Sequence, residues 1–198
     1  MRWWSFMAAA LLIGSMGLIL FTARRSARAE SRADRLAGAL LTAAQPMLPI
    51  DWTSEWQRMH LEARFFAGAL ANQVPVTELA EGPIHDTPGF CFENKHYAIA
   101  LRPSPRLEPD LQTEAGDLAV ESLAWPRATV GPAKSVFFHP EDADRAYSRN
   151  LHADYNDESP GSRPKPGWLH RRQDSKIRVF DYRAWDDERF LVPQRADS

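Results

Sequence analysis

The chain has 198 residues, a formal net charge of −2 and one cysteine, Cys91. A balance this near neutral excludes a chain drawn to nucleic acid by its overall field. A lone thiol excludes an internal disulfide and every Cys-x-x-Cys redox or zinc motif. The length suits one domain beside an anchor.

The anchor is the apolar run from Trp3 to Phe21, which contains no charged residue. A helix hides its own backbone hydrogen bonds, and ~20 residues of it cross a bilayer core of ~30 Å. Residues 1–23 are therefore expected to form a transmembrane anchor in contact with lipid. Trp3 and Trp4 stand where indole rings favour the headgroup layer, and Arg24, Arg25, Arg28, Arg32 and Arg35 mark the other end. A cleaved signal peptide is the rival, because Ala27-Arg28-Ala29 has a small-x-small cleavage form. Against it, the segment before the apolar run carries only Arg2, and the Arg-rich stretch lies on the far side. The charge rule places the C-terminal part in the cytoplasm, with Arg2 opposing.

Residues 24–73 read as a helical region. In Ser31 to Ala44, Ala33, Leu36, Ala37, Leu40, Leu41 and Ala44 share one face of a 3.6-residue period, with Ser31 as N-cap and Asp34 in the first turn. Pro46 and Pro49 end it. A second helix is expected from Asp51, its N-cap, to Gln73. Trp52, Trp56, Met59, Ala63, Phe66 and Leu70 alternate in steps of four and three, a heptad-like seam too short for a coiled coil. Either the seam packs on the chain's own sheet, or Trp52, Trp56, Met59, Phe66 and Leu70 present a face to a second copy or another protein.

Residues 74–88, with Pro75, Gly82, Pro83 and Pro88, read as a linker, and residues 89–198 as an antiparallel sheet domain. Tyr97, Ile99 and Leu101 alternate with His96, Ala98 and Ala100, the period of a strand. Glu93-Asn94-Lys95 either turns between Phe90-Cys91-Phe92 and that strand or bulges within one long strand. Further strands are expected at 117–125, 135–138, 145–151, 176–185 and 189–192, with a short helix at 140–147 competing for one of them. The expected fold class is α+β: a transmembrane helix and two amphipathic helices, then a small, mainly antiparallel sheet.

Tyr97-x-Ile99-x-Leu101, then Ala124-Trp125-Pro126, then Gly131 before Lys134-Ser135-Val136-Phe137-Phe138, resembles the sheet of uncharacterised bacterial envelope proteins. More distantly it is similar to the C-terminal sheet of type IV pilin-like proteins. The resemblance implies an envelope setting, and a filament or secretion-system subunit as an alternative. It carries over no active-site residue. The pilin leader is absent, and no Glu lies in the apolar run.

No motif of a known catalytic class is present: no Gly-x-Ser-x-Gly, P-loop or His-Glu-x-x-His. His139, Asp142, His152 and Asp154 are the candidate metal ligands, should a hairpin bring them together. Asp154 to Glu158 supplies oxygen ligands but lacks the glycine and distal Glu of a calcium loop. Cys91 and His96 are a nominal nucleophile and base on opposite faces of a strand. Arg163, Lys165, Arg171, Arg172, Lys176 and Arg178, with Trp168 and Phe180, form a basic segment whose acidic neighbours offer internal partners. The reading is a membrane-anchored structural or interaction protein without cofactor, with nucleic acid not expected as a partner.

Overall fold

A computed structural model describes residues 2–72, 74, 76, 79–82, 89–105, 118–133, 135–141, 145–148, 156, 158, 163–164, 179–181 and 194–195 and, of residues 2–10, the side chain of Met7 alone. The architecture is α+β: helices followed by an antiparallel sheet.

One helix, α1 (Arg2–Ala44), runs for 43 residues. The expected anchor and first amphipathic helix are therefore one element. Ser31 is a buried interior position instead of an N-cap, and Asp34 lies in mid-helix. No proline interrupts the run before Pro46, so nothing forces a break between its apolar and amphipathic halves. Among the described residues no helix is long and apolar enough to cross a membrane, so the transmembrane part of the expected fold has no support there.

The C-terminal half of α1 carries the core stripe. Ala33, Leu36, Ala37, Leu40 and Ala44 are fully buried, as their spacing requires, while Leu41 is half-buried at the edge. A one-turn 3-10 helix (Gln45–Met47) leads away from it.

The second helix, α2 (Glu55–Ala71), begins three residues later than expected, because Ser54 and not Asp51 is its N-cap. The Ser54 hydroxyl accepts from the Gln57 N–H at 3.3 Å. Asp51 instead closes the turn before it, accepting from the Thr53 hydroxyl at 2.7 Å and the Thr53 N–H at 3.0 Å. These bonds, the hydroxyl's first, hold the Asp51 carboxyl below its ordinary range.

Among the described residues the sheet is an eight-stranded meander in chain order, with every neighbouring pair antiparallel. Its strands are β1 (Ala80–Glu81), β2 (Phe90–Glu93), β3 (Tyr97–Pro105), β4 (Leu118–Pro126), β5 (Val136–Pro140), β6 (Ala146–Ser148), β7 (Val179–Asp181) and β8 (Gln194–Arg195). Strand β1 falls within the expected linker, and β6 forms where a helix competed. The expected edge strand at 189–192 lies outside the described residues. At residues 93–95 the hairpin prevails over the bulge: Asn94 Oδ1 accepts from the His96 and Tyr97 N–H groups, each at 2.8 Å.

Period-two alternation sorts the strands into two faces. Phe90, Phe92, Tyr97, Ile99, Leu101, Val120, Ala124, Phe137 and Tyr147 share one core with the α1 stripe and with Leu61, Phe65 and Ala69 of α2. Cys91, Ala98, Ala100, Leu123, Trp125, Val136, Phe138 and Ala146 form the cluster on the other face. That face also carries a buried ion pair, Arg102 Nε to Glu121 Oε1 at 2.7 Å, and Arg102 Nη1 donates to the Pro164 carbonyl.

Two helical glycines make a paired test of this packing. A methyl at Gly68 meets nothing within 4 Å, whereas one at Gly38 comes within 3.3 Å of His139 Cε1. Gly68→Ala is expected to gain about 1 kcal/mol from helix propensity. Gly38→Ala is expected to gain none, because His139 must shift; urea unfolding of the two variants reads the difference.

Candidate functional site

Of the expected metal ligands, Asp142, His152 and Asp154 lie outside the described residues. His139, on β5, faces α1, and its Nε2 stands 2.9 Å from Asp34 Oδ1. Among the described residues no three His, Cys, Asp or Glu side chains are grouped to hold a metal. The partner of His139 is thus a carboxylate 105 positions away, delivered by the helix that crosses the sheet. Both side chains of the pair are 5% exposed.

Ser122 lies opposite His139 in the β4–β5 register, on the same face and fully buried. A serine, a histidine and an aspartate are thereby assembled beneath α1. They are 0%, 4% and 3% exposed respectively, so no substrate reaches them. Hydrolytic chemistry needs an approachable nucleophile and a space for the reacting carbonyl. What the arrangement does physically is tie α1 to the middle of the sheet with a polar contact that specifies its register. Further along α1, the Ser135 hydroxyl donates to Glu30 Oε1 at 3.2 Å and the Ser26 hydroxyl donates to the Pro132 carbonyl.

The remaining sequence candidates divide. Cys91 is buried in the cluster facing away from the helices, and His96 sits half-buried after the hairpin turn. In the acidic run, Asn156 Oδ1 accepts from the Glu158 N–H at 2.9 Å, and the Glu158 carboxylate accepts from Thr129. Of the basic segment only Arg163 is a described cation, half-buried.

The heptad-like seam of α2 splits in two. Trp52 is half-buried with its ring 5.6 Å from Phe90, and Phe66 is half-buried with its ring 5.7 Å from Phe92. These two belong to the chain's own packing. Trp56, Met59 and Leu70 are 64%, 62% and 60% exposed, with Ala63 exposed between them. The buried stripe of α2 is Leu61, Phe65 and Ala69: the last two precede the seam positions Phe66 and Leu70 by one, and Leu61 falls midway between Met59 and Ala63. A shift of one residue turns a helix face by about 100°, so the alternation was right in period but wrong in phase. Trp56 stacks on His60 at 4.3 Å, which orders the exposed indole.

A third locus was read in the sequence only as a charge marker. Arg25, Arg28 and Arg32 fall at i, i+3 and i+7 on α1, one face of the helix. That face meets the β2–β3 turn, and together with Ala29, Asn94 and His96 the three arginines line a cleft of about 200 Å³. Their spacing was the available signal; that the hairpin would close the cleft was not legible. Comparison with protein families, characterised proteins and solved structures yields no match to this chain.

Proposed function

We propose that this chain is a single-pass, membrane-attached structural or interaction protein, held by the N-terminal half of α1. One observation carries the reading. Nine large apolar side chains there, Met7, Leu11, Leu12, Ile13, Met16, Leu18, Ile19, Leu20 and Phe21, are 51% to 73% exposed, with nothing among the described residues packed over them. Continuous apolar patches of this kind mark surfaces that meet lipid or protein. Covering them is worth on the order of 10 kcal/mol, which water forgoes and a bilayer supplies. The segment extends N-terminally through Trp3 and Trp4 without a charge, giving the length a bilayer core requires. The strand motifs resembling bacterial envelope sheets point the same way.

Continuity of the helix supports a rigid mounting: the same α1 that enters lipid is the central strut of the folded core, so the domain does not swing on a loop. The exposed Trp56, Met59 and Leu70 give such a domain a surface for a protein partner or a second copy. Trp56→Ser with Met59→Ser is expected to change unfolding stability by less than about 0.5 kcal/mol. In-membrane crosslinking of the same variant is expected to lose a product that the unmodified chain forms.

Carbonate washing and gradient flotation of membranes carrying the uncut chain test the anchor directly. Retention with lipid through both steps is expected. Recovery of intact chain in the aqueous fraction without detergent overturns the reading.

A further inference from the structure

We propose that the β4–β5 loop, with Val130 at its apex, seats on the bilayer surface and gives the folded domain a second lipid contact beside α1. This rests on the membrane reading above and assigns the part of the domain that touches lipid.

Three polar contacts fix where the loop lies. Asp34 of α1 meets His139 at 2.9 Å, Glu30 accepts from the Ser135 hydroxyl at 3.2 Å, and Ser26 donates to the Pro132 carbonyl. Each step along α1 toward its N-terminus is matched by a step back along β5 toward the loop. The β4–β5 connection is therefore carried along α1 toward its exposed apolar half. The β2–β3 turn belongs to the same end of the sheet: the Arg127 N–H donates to the His96 carbonyl at 3.0 Å, and Arg127 Nη1 to the Asn94 carbonyl at 3.2 Å.

Height along the helix identifies the partner. Ser26 stands five residues past Phe21, about 7.5 Å at ~1.5 Å per residue. With the apolar run in the hydrocarbon, the headgroup layer above it is ~5–7.5 Å deep. Pro132, held by Ser26, is thus level with the outer edge of that layer. Val130 and Gly131 lie in the middle of the connection between Pro126 and Val136, so they project past Pro132 in the direction the three contacts set.

The apex has the chemistry for that place. A single exposed valine means nothing by itself; this one is 86% exposed, more than any of the nine apolar side chains of α1, and sits where lipid begins. Gly131 has a φ of +152°, which residues with a side chain rarely adopt, and a methyl built there meets nothing within 4 Å. The turn is sharp and its tip is open. From Ala128 to Ala133 the loop carries no charge. Arg127 at its base is held by Glu93 at 2.9 Å, and Glu158 accepts from the Thr129 N–H and hydroxyl. The seat is therefore apolar, and a neutral lipid suffices for it. A second contact off the axis of α1 fixes the tilt of the domain, which one helix alone leaves free.

The test uses the full chain in phosphatidylcholine vesicles, with an environment-sensitive fluorophore on Val130→Cys, Thr42→Cys or Leu18→Cys. All three positions are exposed, and the unmodified chain, whose Cys91 is buried, gives the labelling background. The quencher is phosphatidylcholine spin-labelled high on its acyl chain. The label at 130 is expected to be quenched at least about twofold more than at 42, which stands ~30 Å along the helix from Phe21. Equal quenching at 130 and 42 overturns the seat. Blue-shifted emission at 130 without quenching by the lipid overturns it in favour of a protein contact, a second copy included. A label on Ala128→Cys checks that the valine, and not the fluorophore, seats the loop. Quenching there is expected with Val130 present and to fall by about half or more with Val130→Asp; undiminished quenching in that variant overturns the role of Val130. An unquenched label at Leu18 overturns the membrane reading itself, an outcome distinct from quenching at 18 without quenching at 130.

Discussion

Asp34→Ala is expected to lower the unfolding free energy by about 3 kcal/mol, because it leaves the buried His139 ring without its partner. The two side chains meet at 2.9 Å with 5% exposure each, so water does not replace the missing carboxylate. Asp34→Asn, which keeps an acceptor oxygen in place, is expected to lose less. The double variant Asp34→Leu/His139→Leu removes both polar groups together and is expected to recover most of the loss, since apolar replacement of a buried pair is often near neutral. Urea unfolding of the three variants in detergent measures all of this. A loss below about 1 kcal/mol for Asp34→Ala would show that the pair does not tie α1 to the sheet.

Ile13→Arg is expected to shift the chain from membrane to aqueous fractions by roughly a hundredfold. An arginine at the centre of an inserted helix costs about 2.5–3.5 kcal/mol on the insertion scale, and each 1.4 kcal/mol is about a factor of ten. Ile13 is 73% exposed and lies near the middle of the uncharged run, so the substitution leaves the folded core untouched. Quantitative flotation of the variant beside the unmodified chain reads the shift. Leu70→Arg, on the exposed face of α2, is the control and is expected to float normally.

The two expectations concern opposite halves of one helix, and the contrast explains why α1 is the organising element. Its C-terminal half is packed on the sheet, and its N-terminal half leaves its apolar side chains exposed. A helix of 43 residues without an internal break couples them mechanically. The arginines sit at the junction between the exposed apolar half and the half packed on the sheet.

Much of the fold was legible because periodicity reports a buried face directly. The α1 stripe of Ala33, Leu36, Ala37, Leu40 and Ala44 and the β3 alternation of Tyr97, Ile99 and Leu101 follow from spacing alone. Local chemistry misled at the ends. Ser31 and Asp51 both look like N-caps, yet the first lies inside a continuous helix and the second closes a turn beside the true cap, Ser54. Capping residues are also good turn residues and tolerable interior ones, so type without context does not place a boundary.

By itself, the amino-acid order determined the class of elements, the uncharged N-terminal run, the arginines after it and the lack of any familiar catalytic motif. These are properties of neighbours along the chain, where hydrophobic period and turn chemistry act. Tertiary structure alone decided which surface of α2 is covered, that His139 meets Asp34 instead of a loop carboxylate, and that a hairpin turn converts three arginines into a cleft. Each depends on how far α1 slides and rotates over the sheet. That is set by the summed packing of side chains about a hundred positions apart, which no local pattern contains.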